Sequence, residues 1–269
     1  MEKLSELVFV GIGLYDEKDL SLRAVEEIKS ADKVFAELYT SLLPAFNVKR
    51  LETLVGKKVV VVSRKILEDD EGRQILQETK GGKVVFLVPG DPLIATTHVD
   101  LRIRAEKMGV KTRIVHGASI ISAVIGLTGL QNYKFGRSVT VPFLENSVVA
   151  DTSYRVVMEN RQRGLHTLCF LDLKAEEKRH MTVKEGLRIL LEVEEREKKE
   201  VVTSKTLAVG VARAGAPNFC IKADYVKDLL QHNFGDPPHA LVFPGKLHFM
   251  EAEALVSLAG APRKILEMT

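Results

Sequence analysis

The sequence predicts an α/β protein of two α/β domains, the first with a mostly parallel sheet and the second with a mixed one. Three observations carry this. The first half alternates short apolar runs with helix-periodic segments, a pattern that implies right-handed crossovers between parallel strands. The alternation stops at Val115-His116-Gly117-Ala118-Ser119. Beyond it strand candidates are spaced less regularly, so antiparallel pairing is expected. At roughly 100–200 residues per domain, the 269-residue chain has room for domains over 1–115 and 116–269.

The elements follow in order. Leu7-Val8-Phe9-Val10-Gly11 is a continuous apolar run ending in glycine, the mark of a strand buried on both faces. Asp19 or Ser21 can cap the next helix, in which Leu22, Val25 and Ile28 recur at helical spacing. Lys33 to Leu38 and the β-branched run Lys58 to Val62 read as strands. Ile66 to Lys80 reads as one helix stopped by Gly81-Gly82. Lys83 to Val88 is another buried strand, broken by Pro89-Gly90. A helix over His98–Met108 and a strand over Thr112–Val115 complete this half. The second half opens with an apolar helix, Ile120–Thr128. Its strand candidates are Ser138–Phe143, Thr167–Leu171, Leu207–Val211 and Ala240–Phe243. Its helices are Val183–Lys199, Tyr225–His232 and His248–Ala259. The charge run Glu192 to Glu200 reads as the solvated end of a helix.

Composition narrows the class. Lys+Arg 39 against Asp+Glu 36 gives a net charge of +3, too small an excess for a protein that neutralises a nucleic-acid backbone. Cys169 and Cys220 are too few and too far apart for a metal cage or a CxxC pair, and they read as small packing residues. The start, Met1-Glu2-Lys3-Leu4-Ser5-Glu6, lacks the apolar stretch of a signal peptide. No run approaches the roughly 18 apolar residues of a membrane span. The expectation is a cytoplasmic protein with no membrane contact.

Ligands of parallel sheets bind beyond the carboxyl ends of the strands. After the first strand comes Gly11-Ile12-Gly13-Leu14-Tyr15-Asp16, the opening of a dinucleotide fingerprint with aspartate in place of the third glycine. An acid there repels a pyrophosphate, so nicotinamide and flavin cofactors are disfavoured. The two glycines still allow a ligand to approach the backbone closely. After Val88 comes Pro89-Gly90-Asp91-Pro92-Leu93, which holds the Asp91 carboxylate at a strand mouth between two stiff neighbours. Gly-Asp-Pro recurs at Gly235-Asp236-Pro237. No Walker A motif, no GxSxG elbow and no zinc-type histidine spacing occurs. Arg213 follows a strand, where a guanidinium can pair a carboxylate bidentately or simply serve the structure.

Taken together, Gly11–Leu14, Phe35-Ala36-Glu37-Leu38-Tyr39-Thr40-Ser41, Pro89 to His98, Tyr133-Lys134-Phe135-Gly136 and Gly235-Asp236-Pro237-Pro238-His239 resemble the archaeal diphthine synthases. The resemblance runs from Leu7 to about Leu266, and residues 89–98 and 235–250 are its most specific strings. It implies S-adenosylmethionine-dependent methyltransferases of the tetrapyrrole-methylase superfamily, with the cofactor in the cleft between two α/β domains. The implied reaction methylates the amino group of a 3-amino-3-carboxypropyl-modified histidine in translation elongation factor 2, adding three methyl groups in archaeal members. A homodimer is implied too. The family's cofactor contacts fall on Leu14, Asp91, Ile94, Ser119, Ile120, Leu171, Ala214 and His239. Arg213 or Lys174 is a candidate partner for the acceptor's carboxylate, and His98, His239 or water a candidate proton acceptor. The irregular segment Phe143 to Tyr154 is a candidate for opening. Rival readings are a tetrapyrrole or ribosomal RNA methylase of the same superfamily and a non-catalytic cofactor-binding protein.

Overall fold

The structure, a computed structural model, describes residues 5–144 and 151–268. The chain divides into two compact units, Met1–Ile120 and Ile121–Thr269. The loss of strand–helix alternation points to a division after Val115, but the loop after that residue packs on the first unit. A Cβ on Gly117 would lie 2.4 Å from the Gly90 carbonyl oxygen.

In the first unit β1 (Glu6–Gly11), β2 (Lys33–Glu37), β3 (Val59–Val62), β4 (Lys83–Val88) and β5 (Lys111–Val115) form one sheet. Its order is β3-β2-β4-β1-β5, and every neighbouring pair is parallel. Alternation along the strands sorts the core. Val8, Val10, Val34, Ala36, Val85 and Leu87 face α1 (Leu22–Ser30) and α2 (Val48–Val55). Leu7, Phe9, Phe35, Val84 and Phe86 face the other way, toward α4 (Arg73–Glu78) and α5 (Val99–Lys107). This sidedness follows from right-handed crossovers: β1→β2→β3 steps toward one sheet edge, β3→β4→β5 toward the other.

Some local readings change. The helix expected over Ile66–Lys80 is two, α3 (Arg64–Glu68) and α4. Between them Glu71 (φ 56°) and Gly72 (φ 64°) adopt left-handed backbone, which neither helix can continue through. Leu22 is 85% exposed. Each i+3 step lags the helical face by about 60°, so a residue two such steps before the buried Ile28 has rotated off the core. Ser21, not Asp19, caps α1, accepting from the Ala24 N–H. In the valine run of β3, Val60 and Val61 are exposed because β3 is the edge strand. The helix α2 was not legible as a periodic segment; the Asn47 side chain caps it and left-handed Gly56 ends it.

The second unit starts within α6 (Ile120–Thr128), followed by β6 (Val139–Val141), α7 (Asp151–Gln162) and β7 (Thr167–Leu171). A short hairpin, β8 (Leu173–Lys174) with β9 (Arg179–His180), leads to α8 (Val183–Glu197). Then come β10 (Leu207–Ala212), β11 (Cys220–Tyr225), α9 (Val226–Leu229), β12 (His239–Phe243) and α10 (Phe249–Ala259). The sheet order is β11-β10-β12-β7-β6. All pairs are antiparallel except β6 with β7, so the sheet is mixed. The segment expected to be helical over Tyr225–His232 keeps only α9, with strand β11 before it. Residues 145–150 of the segment Phe143–Tyr154 lie outside the described residues; Asp151 to Tyr154 belong to α7.

Two carboxylates, one half-buried and one buried, act as hubs here. Glu194, inside the charge run expected to be solvated, accepts from the Tyr154 hydroxyl at 2.7 Å and from the N–H groups of Glu200, Val201 and Val202. Glu251 is fully buried. Burial raises its pKa, but the His248 N–H, Lys134, the Gln131 N–H and His166 outweigh burial and leave it at about 2. Among the described residues no helix is long and apolar enough to cross a membrane.

Candidate functional site

The strands of the first sheet all end on one edge. The connection leaving β1 heads toward β2 and that leaving β4 heads toward β5, so the neighbours β1 and β4 make the switch point where such sheets bind ligands. Their loops are joined by main-chain hydrogen bonds. The Ile12 N–H donates to the Val88 carbonyl at 2.8 Å, and Gly13 and Gly90 exchange a pair of bonds at 3.3 and 2.7 Å. The loop after β5 closes on both. A Cβ on Gly11 or on Gly117 would meet the Gly90 oxygen at 2.4 Å, so backbone packs directly on backbone there.

Leu14 lies in this assembly with its N–H already engaged. The Leu14 and Tyr15 amides both donate to Asp19 Oδ2, at 2.8 and 2.7 Å. Amides that would cradle a phosphate in a dinucleotide site therefore hold an internal carboxylate. The sequence assigns the repulsion of a pyrophosphate to Asp16; the structure gives the blocking role to Asp19, while Asp16 caps a short 3-10 turn through the Lys18 N–H. Asp91 is half-buried, and its Oδ2 lies 2.7 Å from Nδ1 of the exposed His116. Ile94 is 38% exposed; Ser119 and Ile120 are half-buried. The predicted residues of this unit thus sit on the loops after β1, β4 and β5.

In the second unit β12 runs antiparallel to β7 and β10, so its start lies beside their ends. Leu171, Ala214 and His239 consequently share one edge of that sheet, with His239 opposite Ala212 in register. His239 Nδ1 accepts from the Val183 N–H at 3.2 Å, so Nε2 carries the proton and donates to the Asp236 carbonyl at 3.2 Å. Burial pushes its pKa down, and the ring is neutral with both nitrogens engaged. Arg213 is held at φ 51°, a left-handed conformation that costs a non-glycine residue on the order of 1–3 kcal/mol. Its guanidinium donates to the carbonyls of Phe234 at 2.9 Å, Asn218 at 3.1 and 3.3 Å, and Asp236. These bonds hold the guanidinium against backbone carbonyls inside the fold. Lys174 pairs with Glu177 at 3.6 Å and stands 5.9 Å from the Phe143 ring centre.

The tetrapyrrole (corrin/porphyrin) methylase family matches residues 6–229. A diphthine synthase of Methanosarcina acetivorans is 48% identical over 268 residues, covering 98% of this chain and 99% of that one. A diphthine synthase of Methanococcoides burtonii is 50% identical, covering 97% and 98%. The chain belongs to the diphthine synthase family. A crystal structure of a diphthine synthase superposes with a TM-score of 0.89 at 41% identity, covering 98% of this chain and 99% of that one. The diphthine synthase family lies within the methylases, so the chain is a methyltransferase.

The string Phe35–Ser41, a mark of the diphthine synthase resemblance, gains a structural meaning that sequence reading missed. Glu37 is fully buried at the end of β2. One carboxylate oxygen accepts from the Tyr39 and Thr40 N–H groups at 3.0 and 3.1 Å. The other accepts from the Thr40 hydroxyl at 2.5 Å and from His98 Nε2 at 3.1 Å. His98 is buried, edge-on to Phe86, and ties the loop after β4 to the end of β2. Nearby, the Tyr39 hydroxyl is buried and has no hydrogen-bond partner among the described residues, a condition that costs roughly 1–3 kcal/mol. Burial pushes its phenol pKa up, and the charges of Glu37 and Glu68 add to this. The Arg64 guanidinium lies 5.3 Å from the ring centre. Residues 37 and 98 are far apart in sequence and look like ordinary strand-end and helix-cap residues; only the recurrence of both in family strings marks them.

Proposed function

We propose that this chain transfers methyl groups from S-adenosylmethionine to the amino nitrogen of the 3-amino-3-carboxypropyl group on a modified histidine of translation elongation factor 2. Three transfers in succession would give the trimethylammonium of diphthine, a step of diphthamide biosynthesis. The near-full-length identity to diphthine synthases carries this reading. The donor set at the first sheet edge fits such a cofactor. Asp19 fills the amides of Leu14 and Tyr15, which suits a ligand without phosphates, and the Asp91 carboxylate offers an acceptor to hydroxyl or amino groups. Leu14, Asp91, Ile94, Ser119 and Ile120 on that edge, and Leu171, Ala214 and His239 on the edge of the second sheet, are the residues we assign to the cofactor.

When bound, the cofactor supplies an electrophilic methyl on a sulfonium, a good leaving group. The chain's residues then need to position a neutral amine about 3–3.5 Å from that carbon, in line with the breaking bond. An α-amino group has a reference pKa near 8, so a neutral fraction exists near neutral pH. Each transfer leaves an alkylated ammonium, and its proton must leave before the next. His239 has no free nitrogen for it and His98 is tied to Glu37, so the reading gives the proton to water.

Intact-mass measurement tests the reading. The protein is incubated with S-adenosylmethionine and elongation factor 2 bearing the aminocarboxypropyl-histidine. Three methyl-sized increments on the factor are expected. No increment, with methyl transfer to ribosomal RNA or a tetrapyrrole instead, overturns it.

We also propose a homodimer. Of the nine residues of α6 only Val124 and Thr128 are buried. Gly129 closes onto Ala254 of α10, which leaves Met250 and Leu258 of the same helix exposed. A second copy would cover this apolar face. Sedimentation at the mass of one chain would exclude it.

A further inference from the structure

We propose that Tyr39 and Arg64 form a carboxylate subsite that binds the acceptor's 3-amino-3-carboxypropyl group at the β2–β3 end of the first sheet edge. The inference rests on the methyl-transfer reading above and adds residues that none of its cofactor contacts include.

The Tyr39 hydroxyl starts the argument. It is buried, with the whole residue 8% exposed, and has no hydrogen-bond partner among the described residues. The forces that raise its pKa keep the proton on oxygen, so it is a donor without an acceptor. Buried groups of this kind are rare and call for a ligand or a water. Arg64, at the mouth of β3, stacks over the same ring at 5.3 Å. Its one ion pair among the described residues, to Glu68, is stretched to 3.8 Å, and its side chain is 52% exposed. Arg50, by contrast, is neutralised by Glu17 at 2.5 Å. A phenol donor beside an under-used guanidinium is the chemistry that recognises a carboxylate.

The position fits the acceptor. Sheet order runs β3-β2-β4-β1-β5, so Tyr39 and Arg64 follow β2 and β3, while the residues of this unit assigned to the cofactor follow β4, β1 and β5. The bond from His98 to Glu37 fastens the loop after β4 to the strand that carries Tyr39. Glu37 is a positioning residue: its carboxylate is filled by four donors from this chain, and it holds the Tyr39 and Thr40 backbone in place. The methionine end of the cofactor also carries a carboxylate, so the test must tell the two sources apart.

The experiment compares wild type with Tyr39→Phe and Arg64→Met. Removing an unbonded hydroxyl costs no hydrogen bond, so ligand-free Tyr39→Phe should melt at or above the wild-type temperature. Its KM for aminocarboxypropyl-modified elongation factor 2, and its Kd for the same factor, should rise about tenfold or more. Arg64→Met should do the same, and Arg64→Lys should recover part of the loss. The Kd for S-adenosylmethionine, read by calorimetry, should stay within about twofold in all of them. Unchanged KM and Kd for the factor overturn the subsite. A weakened cofactor Kd overturns it in favour of the cofactor's carboxylate. A lower melting temperature for ligand-free Tyr39→Phe overturns it by showing the hydroxyl already bonded. Wild-type protein that binds the modified factor but transfers no methyl group would fail the methyl-transfer reading, while the binding and melting arms still decide the subsite.

Discussion

The loops at the edge of the first sheet leave parallel strands and run toward helices, so they present amide N–H groups. The side chains that hold them are carboxylates: Asp19 on Leu14 and Tyr15, and Glu37 on Tyr39 and Thr40. The loop that enters β12 is different. Pro237 and Pro238 have no N–H to give, and the turn before them presents carbonyl oxygens. A cation holds those, with the Arg213 guanidinium donating to Phe234 and Asp236 and its own N–H donating to the Pro238 carbonyl at 2.8 Å. Each edge therefore neutralises what its backbone exposes. Glycines let the first edge close main chain on main chain, whereas the second tolerates a strained arginine at φ 51° because the guanidinium repays the strain in hydrogen bonds.

The sharpest way to break this contrast is to add one methyl group to the first edge. Gly117→Ala places a Cβ 2.4 Å from the Gly90 oxygen and 2.8 Å from the Gly11 backbone. With backbone on both sides nothing flexible can give way, so destabilisation of about 3 kcal/mol or more is expected by urea unfolding. A normal unfolding midpoint would show that the loops close without backbone contact. Arg213→Met comes next. It strands several carbonyls and keeps the left-handed strain, for an expected loss of about 2 kcal/mol; wild-type stability would mean that water serves those carbonyls equally well. Asp91→Ala is the mildest to the fold. Its partner His116 is 76% exposed, so the change in stability should stay within about 0.5 kcal/mol. Cofactor affinity should nevertheless fall about tenfold in calorimetry, and an unchanged affinity would remove Asp91 from the cofactor residues.

Much of the fold is legible because it is local. The bounds of α6 and β7 coincide with their apolar runs, and β1, β4 and β12 lie within one residue of theirs. Where local chemistry was weak or ambiguous, reading failed. The acidic stretch Asp69-Asp70-Glu71 hid a helix break, Cys220–Tyr225 lacked a clean apolar alternation, and α2 is short. At the site, the strand-mouth positions of Leu14, Asp91 and Ala214 follow from the strands before them. Arg213 was visible as a cation after a strand, but whether it faces ligand or backbone depends on a loop some twenty residues later.

By itself the sequence determines which segments are strands and helices, where glycine is required, and which family the chain resembles, since these depend on neighbours in the chain or on strings of identity. Only the tertiary structure decides that β4 lies between β1 and β2, and therefore that the loops after residues 11, 88 and 115 meet. It also decides that Asp19 fills the turn that Asp16 was expected to block, that Glu37 receives His98 from 61 residues away, and that the Tyr39 hydroxyl is left without a partner among the described residues. The physical reason is that a buried polar group takes whatever partner strand order and packing bring to it, and strand order is not written in the spacing of residues along the chain.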